Sequence, residues 1–196
     1  MTKKPAAKPH AGMGQLRIIA GQWRSRRLPI AEGPGLRPTP DRVRETLFNW
    51  LAPYVEGAKV LDPFTGAGAL TLEALSRGAK AALAMDLNSQ AVANLKSNLA
   101  LLKCDAGKVL QTDALSFLAK PAEERFDLVF LDPPFHQDSL AKACQSLEDG
   151  GWLAPQAWVY TESELAPSSL ALPANWRLHR EKKAGIVYYA LWERSA

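Results

Sequence analysis

The sequence predicts an α/β protein built on a mostly parallel sheet, and three observations predict it. From Lys59 onward, short apolar runs alternate with stretches of helical periodicity. A glycine-bearing turn, Asp62-Pro63-Phe64-Thr65-Gly66-Ala67-Gly68, follows the first of those runs and opens a helix. Further on, the run Phe126-Asp127-Leu128-Val129-Phe130-Leu131 delivers a second turn, Asp132-Pro133-Pro134-Phe135. Strands alternating with helices form right-handed βαβ units, which leave a parallel sheet covered on both faces.

The elements follow in order. Leu16–Ala20 and Gln22–Leu28 read as strands hinged at Gly21, a hairpin or a bulged ribbon. Pro29 to Pro38, with Gly33-Pro34-Gly35, is loop. A helix should open with Thr39 as N-cap and Pro40 in the first helical position. Val43, Leu47, Trp50 and Leu51 give it one apolar face, with Arg42, Arg44 and Glu45 off the stripe. Val60–Asp62 is a strand, Ala69–Arg77 a helix stopped by Gly78, Ala81–Asp86 a strand and Ser89–Leu102 a helix. Val109–Asp113 is the third strand of the alternation, followed by a short helix to Leu118. Phe126–Asp132, a helix over Ser139–Leu147, and Ala157–Thr161 continue it. Trp176–Arg180 and Ile186–Glu193 have no helix between them, so they form an antiparallel pair at one edge.

With 196 residues the chain is long enough for one sizeable domain. Its 47% hydrophobic and 22% charged content suit a packed globular core. No apolar run approaches the ~20 residues of a membrane span. The basic N-terminus lacks the apolar core of a secretory signal, so residues 1–14 read as a disordered basic tail. Cys104 and Cys144 lack metal-ligand spacing, so no metal is expected, and reduced thiols fit a cytoplasmic location. Residues 1–44 hold ten basic side chains against two acidic ones, whereas the remainder holds fourteen against eighteen. That segregation points to a polyanion-binding arm on an acidic body, with a solvated tail as the alternative. Trp23 among Arg24, Arg26 and Arg27 favours the arm, since an aromatic ring stacks on bases where arginines hold phosphates. Arg17 and Arg37 join that set, and Arg37, Arg42 and Arg44 are candidates for phosphate or cofactor-side contacts.

The glycine turn sits where open α/β sheets bind ligands. Asp86 lies 20 residues after Gly66, which imitates a dinucleotide fingerprint, but Thr71 replaces its third glycine. An acid at the strand end also suits an ammonium better than a phosphate. S-adenosylmethionine (SAM) carries an ammonium, a ribose and an adenine. Asp62 would face the amino-acid moiety, Asp86 the ribose hydroxyls and Asp113 the adenine amine, with Phe64, Gly66 and Gly68 completing the cofactor turn. Each acid alone could simply form a strand-end turn; three at successive strand ends form a set.

The second turn suits an exocyclic amine on a flat ring. Such an amine is a weak nucleophile because its lone pair is delocalised. The Asp132 carboxylate and the Pro133 carbonyl can accept its hydrogens, and the paired prolines preorganise both acceptors. Phe135 supplies a stacking face for a base taken out of its stack. Transfer would then rest on positioning. Cytosine C5 chemistry needs a cysteine nucleophile, and neither cysteine occupies a suitable loop. His136 follows the turn and could line the site; His10 and His179 carry no chemistry.

These residues carry a resemblance. Arg17-Ile18-Ile19-Ala20-Gly21-Gln22-Trp23-Arg24, Leu36-Arg37-Pro38-Thr39, Arg44-Glu45-Thr46-Leu47-Phe48-Asn49-Trp50-Leu51, the glycine turn, Glu73-Ala74-Leu75-Ser76-Arg77-Gly78-Ala79 and Phe130 to Phe135 resemble the RsmD family of bacterial methyltransferases, which modify guanine N2 in 16S ribosomal RNA. The resemblance implies a Rossmann-like, class I SAM-dependent fold over residues 39–196, with a seven-stranded sheet. It also implies an RNA-facing N-terminal extension over residues 15–38 and a 16S rRNA target within the small subunit or an assembly intermediate; separately, a monomer is expected. Pro63, Thr65, Ala67 and Thr71 depart from the family's more frequent Leu, Ala, Ser and Gly. The residues by themselves leave adenine N6, a protein amide, or non-catalytic RNA binding open as alternatives to guanine.

Overall fold

The structure, a computed structural model, describes residues 14–34, 36–134 and 138–196. The N-terminal hairpin pairs β1 (Gly14–Arg17) with β2 (Arg27–Ile30). Helix α1 (Asp41–Leu51) follows, and then the alternation begins: β3 (Lys59–Asp62), α2 (Ala69–Ser76), β4 (Ala81–Asp86), α3 (Ser89–Leu101), β5 (Gly107–Gln111) and α4 (Ala114–Leu118). It continues through β6 (Phe126–Leu131), α5 (Ser139–Asp149) and β7 (Leu153–Ser163), and ends in the antiparallel strands β8 (Trp176–Ala184) and β9 (Val187–Ser195).

The seven strands of the main sheet run in the order β5-β4-β3-β6-β7-β9-β8, with only β9 and its two pairings antiparallel. The chain leaves β3 toward β4 and β5, then returns to lay β6 on the other side of β3. That reversal opens a crevice beyond the carboxyl ends of β3 and β6, where such sheets take ligands. Each face of the sheet carries its own core. Leu47 and Phe48 of α1, Leu72 of α2 and Leu95 of α3 pack on one side, and Leu118 of α4 and Leu147 of α5 on the other. Ring contacts fasten α1 across the first face, Phe48 to Phe130, Trp50 to Tyr189 and the following Tyr54 to Trp158. Among the described residues no helix is long and apolar enough to cross a membrane.

Three sequence expectations need correction. Gln22–Arg26 is a tight turn, not a strand: Gly21 and Ser25 both adopt positive φ, and the Arg26 amide closes on the Trp23 carbonyl. Gly21 is required there, since a Cβ would stand 1.9 Å from the Ser76 carbonyl oxygen. Helix α1 begins at Asp41 without a side-chain cap, so Thr39 does not serve as one. Arg44, expected on the polar face, is 1% exposed. Its guanidinium donates to the carbonyls of Thr39 and Arg17 and to the carboxylates of Asp41 and Glu73. Leu16, Ile18, Leu28 and Ile30 belong to the same core as α1 and α2, so residues 14–30 form part of the body. The expected tail falls on residues outside the described set, apart from Gly14, which opens β1.

Candidate active site

The crevice is a cavity of about 490 Å³, within the ~300–1,000 Å³ of small-molecule sites. Its wall brings together Arg37, Asp62, Phe64, Gly66, Asp86, Asp113, Asp132 and Pro133, residues spread over nearly a hundred positions of sequence. The parallel strands do this by ending on one level. β3 delivers Asp62, β4 delivers Asp86, and β6, which pairs β3 on its other side, delivers Asp132.

Asp62 is 3% exposed, with Oδ2 accepting hydrogen bonds from the hydroxyls of Thr65 at 2.9 Å and Thr71 at 2.7 Å. Burial pushes its carboxyl up to about 6; the two hydroxyls pull the other way, and the Asp86 charge adds to the rise. Thr65 and Thr71 are therefore site residues, although from sequence they read only as departures from a glycine pattern. Their signal was the spacing of hydroxyls at the third and ninth positions after an acid that ends a strand.

Asp86 is held by backbone donors, Gly66 N–H on one oxygen and Asn88 N–H on the other, at 2.9 and 2.8 Å. The bond to Gly66 locks the glycine turn against the end of β4, aided by Thr65 N–H on the Met85 carbonyl. Gly68 lies outside the cavity wall. It opens α2 at φ 79°, and a Cβ there would meet Leu95 Cδ1 at 2.5 Å, so its contribution is packing. Asp113 lines the wall while capping α4 through Ser116 N–H at 2.8 Å, and its Ser116 hydrogen bonds hold its carboxyl below the usual range.

Asp132 sits half-buried beyond β6. Desolvation raises its carboxyl well above the usual carboxylate range, and the charges of Glu162 and Asp62 raise it further. Glu162 was not foreseen, because the expected strand Ala157–Thr161 stops one residue short of it. Pairing of Leu131 with Thr161 places Glu162 beside Asp132 on the neighbouring strand, and the buried Tyr160 hydroxyl donates to Glu162 Oε1 at 2.8 Å. Burial raises the Glu162 carboxyl too, offset in part by that hydroxyl.

The other expected residues lie apart. Phe135 and His136 fall outside the described residues. Trp23, Arg24, Arg26 and Arg27 do not line the cavity, and the turn that holds Trp23 docks on Ser76 at the far end of α2. Eight helical residues separate that end from the glycine turn, ~12 Å of helix. Arg17 pairs with Asp41 at 3.0 Å. Arg42 is exposed on α1, and buried Arg44 is a structural cation, not a phosphate contact. Neither cysteine lines the cavity, and Cys144 is enclosed in the second core, where burial pushes its thiol up.

Comparison with known proteins follows the same outline. The family model described as "Conserved hypothetical protein 95" matches residues 16–193. The chain is 51% identical to the ribosomal RNA small subunit methyltransferase D of Escherichia coli, over 99% of this chain and 96% of that one. The protein of the same name from Haemophilus influenzae is 46% identical, over 92% of this chain and 94% of that one. The solved structure of yhhF from Escherichia coli superposes with a TM-score of 0.86 at 51% identity, covering 93% of this chain and 99% of that one. The fold alone is shared with the SMU.776 structure, solved with S-adenosylhomocysteine (SAH), at 12% identity and a TM-score of 0.69 over 96% of this chain and 58% of that one.

Proposed function

The chain belongs to the conserved hypothetical protein 95 family, the RsmD family, and from that premise we propose that it methylates the exocyclic N2 amine of one guanine in 16S rRNA. It is a SAM-dependent rRNA methyltransferase. SAM supplies a methyl group on a sulfonium. The observation that carries the reading is that β3 and β6, neighbours in the sheet, bring Asp62 and Asp132 to one cavity.

The cavity residues suit that cofactor. Asp62 presents a carboxylate to an ammonium, Asp86 a rigid carboxylate to ribose hydroxyls, and Asp113 an acceptor to the adenine amine. Asp132 and the Pro133 carbonyl hold the target amine's hydrogens, so its lone pair is localised and aimed. Phe135 is assigned the stacking face. Glu162 favours guanine over adenine. Guanine carries an N1–H next to its N2 amine, and a second carboxylate beside Asp132 can accept it; adenine offers only a lone pair at N1.

Residues 39–196 constitute the catalytic domain, and residues 15–38 an extension fused to its core. Arg17, Trp23, Arg24, Arg26, Arg27 and Arg37 are assigned to RNA contacts, Arg37 at the cavity and the others farther along the strand. The substrate is the 16S rRNA of a small subunit or its assembly intermediate, and the protein works in the cytoplasm as a monomer.

The test is incubation with labelled SAM and small subunits lacking the mark, followed by nucleoside analysis. N2-methylguanosine is expected, with at least ~100-fold less product from Asp132→Asn at unchanged SAM affinity. N6-methyladenosine in the digest would move the reading to adenine, and no labelled nucleoside at all would return the chain to RNA binding without catalysis.

A further inference from the structure

We propose that the β8–β9 hairpin is a second RNA-docking surface, one that grips the backbone beside the target base. The inference rests on the rRNA reading above and adds to it a place where the strand runs.

Charge comes first. Beyond residue 44 the chain is acidic, yet residues 176–188 hold four of its fourteen basic side chains and one of its eighteen acidic ones. Arg180, Lys182 and Lys183 are exposed on β8, the outermost strand of the sheet. Arg177 pairs with Glu193 and is left out of the set.

Register comes second. Thr161 pairs with Leu131, Glu162 with Tyr189, and Tyr189 with Lys182. Directly paired residues share a face of the sheet, so Asp132, Glu162, Tyr189 and Lys182 form one row across four strands. Three strand spacings put Lys182 ~14 Å from Asp132. Arg180 pairs with Leu191 and shares that face, whereas Glu181 pairs with Ala190 and belongs to the other. The face turned toward the acceptor half of the site is therefore basic, and it lies at the carboxyl edge where the cavity opens. The turn of Trp23 to Arg26 sits at the opposite end of α2.

Chemistry comes third. On the other face of this edge hairpin, the face of Glu181, Lys183 pairs with Tyr188 and its Nζ lies 4.7 Å from that ring's centroid, while Ile186 at the tip is 68% exposed. Cations on both faces of an outermost strand, with an aromatic and an apolar tip, suit single-stranded RNA that passes around the edge, its phosphates pairing with Arg180 and Lys182 on one face and Lys183 on the other while a base lies on the Tyr188 ring. Lysines on an edge strand also keep sheets from pairing with each other, and the experiment separates the two roles.

Binding of unmodified 16S rRNA is measured against salt for the full chain and for the double variant Lys182→Glu, Lys183→Glu, which keeps the edge charged. Thermal midpoint and SAM affinity serve as controls of folding. At least tenfold weaker RNA binding is expected, with the salt slope lowered by about 1.4, since each single-strand phosphate contact contributes ~0.7. The variant's KM for small subunits should rise with kcat little changed. Unchanged affinity and slope, with wild type methylating normally, would overturn the inference and leave the lysines as edge protection. Absence of methylation by wild type would instead count against the rRNA reading itself.

Discussion

Arg44 and Glu73 meet at 3.4 Å with both side chains out of solvent, and the N-terminal segment hangs from that pair. Arg44 donates to the Arg17 carbonyl, while the Glu73 oxygens accept the Ile19 and Ala20 amides at 2.9 and 3.0 Å. One buried ion pair thereby satisfies backbone groups that would otherwise be orphaned between β1 and α2.

Removing either partner breaks a buried network: Glu73 keeps Arg77 as its cation, Arg44 keeps only the half-exposed Asp41, and the backbone groups of residues 17–20 lose a partner. Arg44→Ala and Glu73→Ala should each cost about 3–5 kcal/mol in urea unfolding. A cost below about 1 kcal/mol would show that water replaces the lost partner. Truncation of residues 1–28 removes Leu16, Ile18 and Leu28 from the core as well, so the expected product shows no cooperative unfolding transition, and not a folded enzyme that merely binds RNA less.

Asp62 makes stability depend on pH. Its folded value of about 6 exceeds the ordinary 3.8, so the folded state holds the proton more tightly. The associated stabilisation is complete below about pH 4 and is lost as pH rises through about 6. Ionising this carboxyl at pH 7.5 then costs on the order of 3 kcal/mol. Asp62→Asn should raise the thermal midpoint at pH 7.5 and match wild type near pH 4, while weakening SAM binding at least ~10-fold. Equal midpoints at both pH values would refute the assignment.

Asp132 and Glu162 stand side by side, and each carboxyl is raised by its enclosure. Acceptors must be ionised, so methylation should climb with pH as the pair loses its protons. Glu162→Gln removes a neighbouring negative charge, so the acid limb of the rate profile should move to lower pH while the maximal rate on guanine falls. A limb that stays in place would separate the two groups electrostatically.

Gly21→Ala places a Cβ against the Ser76 carbonyl in a left-handed backbone. The expected loss is about 2–4 kcal/mol by thermal or urea unfolding. Ala at Gly185, also at positive φ but with nothing within 4 Å, should cost less.

The alternation of strands and helices, the glycine turn and the acids at the strand ends that line the cavity were legible in the chain, because each is written in adjacent residues and local periodicity. Ala81–Asp86 even has the bounds that the pattern predicts. Other features were decided only by tertiary contacts. Arg44 reads as solvated because charged helix residues usually are, and partners distant in sequence, the Arg17 carbonyl and Glu73, explain its burial. Gln22–Leu28 read as a strand, but the close approach of Gly21 to Ser76 bends Gln22–Arg26 into a turn, and only Arg27 and Leu28 of that run join β2. Glu162 gained its place beside Asp132 from sheet order, and Lys182 its place in the same row from register. Local sequence determines how each segment bends and what it carries; which carriers meet depends on strand order, set by long-range burial that no local window contains.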